Sequence, residues 1–308
     1  MKYIWAFLVT LVLAGLTVFF WYSQTKSNPT PPMQETTQIS SSEKTDNQPT
    51  PTEDIVSEEY SVSYDDKQLY GVITAPRDYK NKKLPTIVIA HGFNNTLEQY
   101  EMYSQLLAKQ GYLVYSFDFY GGSRQSKSGR QDMLNMSVKT ELTDLTQVME
   151  KLRSETFVDK SKMSLFGASQ GGVVASLYAA AYPDRVHKLM LIFPAFVLFD
   201  DVQETYRQLG SPDLDQLPDS LTHHNTTLGK IYLIDALDID IQAEQAKITA
   251  PTLIIHGTDD AVVPYQYAVE ASQIIPNAEL ITVEDGEHRI DERFAITAAP
   301  AIQKFLKE

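Results

Sequence analysis

The chain contains no cysteine, which excludes disulfide staples, thiolate nucleophiles, Cys-type zinc or haem sites and a lipid-modified N-terminal cysteine. It is also short of positive charge: 26 Lys and Arg against 40 Asp and Glu give a formal net charge of −14. Phosphate binding needs clustered cations, so the balance argues against a nucleic-acid partner. Three lysines and five acids fall in residues 1–56, leaving residues 57–308 with 23 of the basic and 35 of the acidic residues. The acidity therefore belongs to the prospective folded part, where it favours solubility, weakly repels anionic substrates and helps expel carboxylate products.

One long uncharged run stands at the N-terminal end. Residues 3–22 carry no charge, and about 20 apolar residues suffice to cross a bilayer. Lys2 precedes the run, and Trp21 and Tyr22 close it as interfacial aromatics do. Its end, Thr17-Val18-Phe19-Phe20-Trp21, is bulky and offers no small-x-small cleavage site. The expectation is an uncleaved transmembrane signal-anchor over residues 1–22, with a cleaved secretory signal as the alternative. A short N-terminus favours the cytoplasm. That predicts a single-pass protein of the cell membrane with its bulk on the extracellular side, or a secreted one after cleavage.

Residues 23–56 are rich in Ser, Thr, Pro, Gln and Asn and nearly empty of large apolar side chains. Such a segment cannot bury enough surface to fold. It reads as a disordered stalk stiffened by Pro29, Pro31, Pro32, Pro49 and Pro51.

From residue 57 to 308 the signals alternate. Strands are expected over 58–64 and 68–75, with a turn at Asp65-Asp66, and over 86–90, 112–119, 162–165, 187–193, 251–256 and 279–283. Helices are expected over 97–110, 138–153, 173–181, 265–275 and 291–305. The wholly apolar run Thr86-Ile87-Val88-Ile89-Ala90 suits a central parallel strand buried on both faces. This alternation predicts an α/β fold, a mostly parallel, doubly wound sheet with helices on both faces. The interval between residues 193 and 251 breaks the rhythm. A structureless loop of that length is foreign to a compact domain, so a lid inserted over about 195–248 is expected.

The chemistry centres on Gly167-Ala168-Ser169-Gln170-Gly171, between a β-like run and a small-residue helical run. A serine between two glycines at a strand-to-helix turn is a nucleophile elbow. The tight turn lifts the hydroxyl clear of the sheet edge, and the Gln170 N–H sits at a helix N-terminus, ready for a developing oxyanion. By itself the pattern is also a common glycine-rich turn. A serine nucleophile needs a base, and the base a carboxylate. Of the six histidines, His187 opens a strand away from the elbow, and His223 and His224 lie in the polar lid, where a solvated loop is the plain reading and a metal pair the alternative. His91 and His256 each end a strand before Gly and read as structural turn residues. His288 remains, in the polar loop after the last strand. Asp259 and Asp260 follow another strand, and only one of them can point at His288. His91-Gly92-Phe93, after residues 86–90, supplies Phe93 N–H as a second oxyanion donor; the plain alternative is a strand-ending turn. Phe93, Phe196, Phe199, Tyr206 and Tyr232 are candidates for an aromatic-lined pocket or for simple core.

The order Ser, Asp, His is that of the α/β-hydrolases. Residues from about 57 to 308 resemble that family, and within it the bacterial cinnamoyl (feruloyl) esterases. The segments that carry the resemblance are His91-Gly92-Phe93-Asn94-Asn95, Asp118-Phe119-Tyr120-Gly121-Gly122-Ser123, Asp132-Met133-Leu134-Asn135-Met136-Ser137, Gly167 to Gly172, and Phe193-Pro194-Ala195-Phe196. The resemblance implies an α/β-hydrolase fold and a triad of Ser169, His288 and Asp260, the aspartate three before Val263-Pro264. It also implies lid residues that grip the phenolic end of a hydroxycinnamate, here Asp201, Gln208 and Tyr232. The expected activity is hydrolysis of small or aromatic carboxylic esters through an acyl-enzyme, with a small-molecule ester as partner and no metal or organic cofactor. A serine peptidase, an acyltransferase and a non-catalytic surface-binding module are the alternatives.

Overall fold

The structure, a computed structural model, describes residues 49–129, 132–223 and 225–308, all within one compact unit, Asn47–Glu308. The expected signal-anchor and most of the expected stalk lie outside the described residues. Among the described residues no helix is long and apolar enough to cross a membrane. The first elements are β1 (Ile55–Glu59), β2 (Val62–Tyr64), β3 (Lys67–Leu69), β4 (Gly71–Pro76) and β5 (Leu84–Ala90). Next come α1 (Glu101–Lys109), β6 (Leu113–Phe117), α2 (Val138–Ser154), β7 (Val158–Ala168), α3 (Gln170–Ala181) and β8 (Leu189–Ile192). The interval expected as a lid holds α4 (Leu198–Gln208), β9 (Ser220–His223), β10 (Thr226–Gly229), α5 (Lys230–Leu237) and α6 (Ile241–Gln245). The chain closes with β11 (Thr252–Gly257), α7 (Gln266–Ile274), β12 (Ala278–Val283) and α8 (Glu292–Lys307).

The main sheet runs β1-β4-β6-β5-β7-β8-β11-β12. It is parallel from β6 to β12 and antiparallel only at β1–β4 and β4–β6. The apolar run of β5 explains its central place. Ile87 and Ile89 pack on one face with Tyr103 and Leu107 of α1 and Phe294, Ala298 and Ile302 of α8. Val88 and Ala90 pack on the other with Leu145, Val148 and Leu152 of α2, Val174 and Tyr178 of α3, and Ala268 of α7. A strand with a core on both faces cannot alternate polar and apolar residues.

Two boundaries differ from expectation. The opening hairpin is split: the turn at Asp65 (φ 47°) joins only the short pair β2–β3, while β1 pairs with β4. The break falls at Tyr70, whose N–H goes to Ser128 Oγ (2.7 Å) rather than to a strand neighbour. The domain also begins earlier than residue 57. The Thr52 N–H reaches Lys109 O (2.8 Å), Asp54 pairs with Arg77, and β1 starts at Ile55.

Candidate active site

Strand β7 delivers the chain to the turn and α3 leaves from it. Ser169 between them has φ 51° and ψ −122°, a left-handed conformation that non-glycine residues adopt only where the surroundings hold it. Those surroundings are tight. A Cβ at Gly171 would stand 2.2 Å from Ala90 O and 2.4 Å from His91 O, so only glycine lets α3 start against the end of β5. The loop after β5 closes in from the other side, since a Cβ at Gly92 would lie 3.1 Å from Ser169 Cβ. Phe93 and Gln170 thus both adjoin Ser169. Gln170, as the first residue of α3, has no carbonyl within the helix to take its N–H.

The loop after β12 carries His288 to the elbow. Its Nε2 is 3.0 Å from Ser169 Oγ and its Nδ1 is 2.7 Å from Asp260 Oδ2. With Nδ1–H donating to the carboxylate, Nε2 is the acceptor facing the serine hydroxyl. The Phe193 ring lies 4.5 Å from the imidazole. Asp260 follows β11 in a fully buried position and takes the N–H groups of Val262 (2.9 Å) and Val263 (2.8 Å) on Oδ1. Of the two adjacent aspartates, Asp260 and not Asp259 is the one bonded to His288. Burial alone would raise the Asp260 pKa, but hydrogen bonds from His256, His288 and the Val263 amide outweigh it and hold the carboxyl well below the usual range. His256 Nε2–H donates to Val263 O (2.9 Å) and lies 3.2 Å from Asp260 Oδ2. His91 is spent inside the turn, with Nδ1–H donating to Gly92 O (2.8 Å) and Nε2 accepting the Phe119 N–H (3.1 Å). Burial lowers its pKa and keeps it neutral.

A cavity of about 180 Å³ opens on Ser169 and His288. Larger clefts, of about 270 and 740 Å³, lie beside β1–β4 and at the start of β5 and do not touch Ser169. Apolar walls come from Phe93, Ala195, Val197, Leu198, Val262 and Val263, and polar groups from Asp201, His223 and Tyr232. Of the lid residues expected to meet substrate, Asp201 and Tyr232 are therefore at the cavity. Gln208 is not: it is exposed at the far end of α4, its amide bonded to Glu204 (2.9 Å). Seven residues of helix keep it on the face of Asp201 but carry it roughly 10 Å along the axis. Phe196 and Phe199 are core, and the Tyr206 hydroxyl donates to Pro212 O (2.6 Å).

Two features are not foreseen from the sequence. His223 ends β9 and lines the cavity, its ring 5.6 Å from Phe93 and 5.6 Å from Tyr232. Behind the elbow, Gln170 Nε2 donates to Glu141 Oε2 (2.8 Å) and the Tyr232 hydroxyl donates to Gln170 Oε1 (2.9 Å). Glu141 is buried on α2; desolvation, and the neighbouring Asp144, push it up to about 8 against the Gln170 hydrogen bond. The one hint in sequence is its spacing, since Glu141 falls among Val138, Leu145, Val148 and Leu152 on the apolar stripe of α2. Among the described residues no His, Asp or Glu cluster could hold a metal ion.

The fold, the elbow and the order of Ser169, Asp260 and His288 define the α/β-hydrolase class. Comparison with known proteins agrees: a family model described as Serine aminopeptidase, S33, matches residues 81–217, and one described as TAP-like protein matches residues 238–308. The chain belongs to the α/β-hydrolase superfamily and is a hydrolase of that superfamily. It is 27% identical to the AB hydrolase superfamily protein YisY of Bacillus subtilis (strain 168), over 66% of this chain and 84% of that one. Against human Monoacylglycerol lipase ABHD6 the identity is 24%, over 67% and 70%. Est1E from Butyrivibrio proteoclasticus, solved with ferulic acid bound, superposes with a TM-score of 0.71 at 26% identity, covering 80% of this chain and 98% of Est1E.

Proposed function

We propose that the protein is a serine carboxylic-ester hydrolase acting through Ser169, His288 and Asp260, on small or aromatic esters of the hydroxycinnamoyl type. The observation that carries the reading is the pair of hydrogen bonds running from buried Asp260 through His288 to a strained Ser169. His288 takes the hydroxyl proton as Ser169 attacks the ester carbonyl, while Asp260 fixes the tautomer and stabilises the imidazolium. The N–H groups of Phe93 and Gln170 receive the oxyanion, each such donor being worth about 3 kcal/mol in comparable enzymes. His288 then protonates the leaving alcohol. Water enters, and the same groups hydrolyse the acyl-enzyme. Likeness to Est1E with ferulic acid bound supports an aromatic acyl group. In this reading the α4–α6 interval is a lid, with Asp201 and Tyr232 facing the acyl group. Residues 1–22 anchor the chain in the cell membrane with the catalytic domain outside.

The test is Ser169→Ala. Turnover of hydroxycinnamoyl esters falls by about a million-fold, as in comparable triads, with far-ultraviolet circular dichroism unchanged. Near-normal turnover in that variant overturns the mechanism. The family description as a serine aminopeptidase favours a second reading, in which Asp201 meets a substrate amino group. Aminoacyl anilides hydrolysed faster than any ester in a mixed panel would establish it.

A further inference from the structure

Gln170 does two things at once. Its backbone N–H is one of the two oxyanion donors of the proposed esterase, and its side chain is tied at both ends inside the protein. The amide group donates to Glu141 Oε2 on α2 and accepts from the Tyr232 hydroxyl on α5. All three residues are buried, at 1%, 1% and 6% exposure for Glu141, Gln170 and Tyr232. The NH₂ end of the amide faces Glu141 Oε2 and also Met136 Sδ (3.5 Å), a group that can only accept. The carbonyl end is then presented to Tyr232. Consequently Tyr232 has its one proton committed to Gln170 rather than free for a substrate.

We propose, resting on the esterase reading, that Glu141 is a positioning residue of the active site: through the Gln170 amide it holds the oxyanion N–H in line and joins the elbow to the α5 segment over the cavity. Ser169 sits in a conformation that must be held from outside, and α3 begins with the residue this strap restrains. Donor groups stabilise a tetrahedral oxyanion only when pre-aimed, so loosening Gln170 costs rate in the chemical step more than substrate binding. Glu141 touches no reacting atom. A buried network of this kind could instead serve stability alone, and the two roles separate in the kinetics.

The experiment uses the full chain with 4-nitrophenyl acetate, an ester too small to need the far end of the cavity. Rates are expressed per active site, counted by a fluorophosphonate probe, so that misfolded protein drops out. Glu141→Leu lowers kcat per labelled site by about tenfold or more, below the 10²–10³-fold typical of losing a donor outright, with KM changed less than about threefold. Glu141→Gln, which keeps an acceptor in place, restores most of the loss. Should Glu141→Leu give no labelled protein, Gln170→Leu reads the same strap, because its backbone N–H remains while both side-chain ties are gone; it shows the same kcat-selective loss. Unimpaired kcat per site in whichever leucine variant folds overturns the proposal, as does a Glu141→Gln variant as slow as Glu141→Leu. A wild-type chain that the probe does not label sinks the esterase reading and the strap together. A labelled wild type with an unimpaired leucine variant sinks the strap alone.

Discussion

Replacing Glu141 by Gln has an effect on stability that depends on pH in a calculable way. Burial, then the Asp144 carboxylate, move the Glu141 pKa from 4.5 to about 8, against the lowering effect of the Gln170 hydrogen bond. The folded value lies above the unfolded one. Between the two, the folded chain keeps a proton that the unfolded chain has released, so stability falls as pH rises through that window and levels off above it. At about 1.4 kcal/mol per pH unit the gap sets a ceiling of about 5 kcal/mol. About 1 kcal/mol of this is present at pH 5 and about 3 kcal/mol at pH 7. Glu141→Gln keeps an oxygen for Gln170 and has nothing to ionise. Its stability relative to the parent therefore climbs by about 4 kcal/mol between pH 5 and pH 9. Asp144, raised to about 6 by burial, titrates in both proteins and drops out of the difference. The assay is urea unfolding at a series of pH values. Far-ultraviolet circular dichroism must follow it, because residues 47–308 contain no tryptophan. A difference between variant and parent that is the same at pH 5 and pH 9 would refute the assignment of a buried, proton-holding Glu141.

Asp260→Asn removes the orienting charge and lowers kcat by about 10⁴-fold, measured per labelled serine. Since the folded pKa of Asp260 is depressed, its contribution to stability is present above the ordinary aspartate value and lost as pH falls below it. The variant is thus less stable than the parent at pH 7, and its deficit shrinks in acid; a deficit that grows toward low pH would contradict this. Gly171→Ala forces a methyl against Ala90 O and His91 O. It costs at least about 1–3 kcal/mol of stability, as overpacking does, and slows labelling of Ser169; a variant with parental melting temperature and labelling rate would show that α3 can shift freely.

How much was legible in advance depended on how local each signal is. The elbow is spelled by five adjacent residues, and its geometry follows from their sizes, so the sequence alone places Ser169, Gln170 and Gly171 at one turn. The central strand was legible because Thr86-Ile87-Val88-Ile89-Ala90 holds no charged residue and four consecutive apolar ones, and that pattern fits few sites other than a doubly covered strand. His288 emerged by removing the other histidines from contention. The same elimination leaves His223 aside, because a polar stretch of sequence suggests an exposed loop. The β9–β10 hairpin instead brings that ring against Phe93 and Tyr232. The choice between Asp259 and Asp260 needed family resemblance, since neighbouring aspartates look alike until a backbone turns one inward.

Sequence by itself determined which residues were candidates for the chemistry and, outside the opening strands and the interval 195–248, the order in which strands and helices would succeed one another. Hydrophobic period and turn chemistry act over a few residues and are written in plain view. Only the tertiary structure decided that Gln208 falls beyond the cavity, that the opening hairpin divides between two ladders, and that a glutamate in an apolar helix face meets the residue next to Ser169. Those outcomes depend on contacts between segments far apart in the chain. A buried carboxyl, a committed hydroxyl proton and a strained serine become visible only when the segments that enclose them have been brought together.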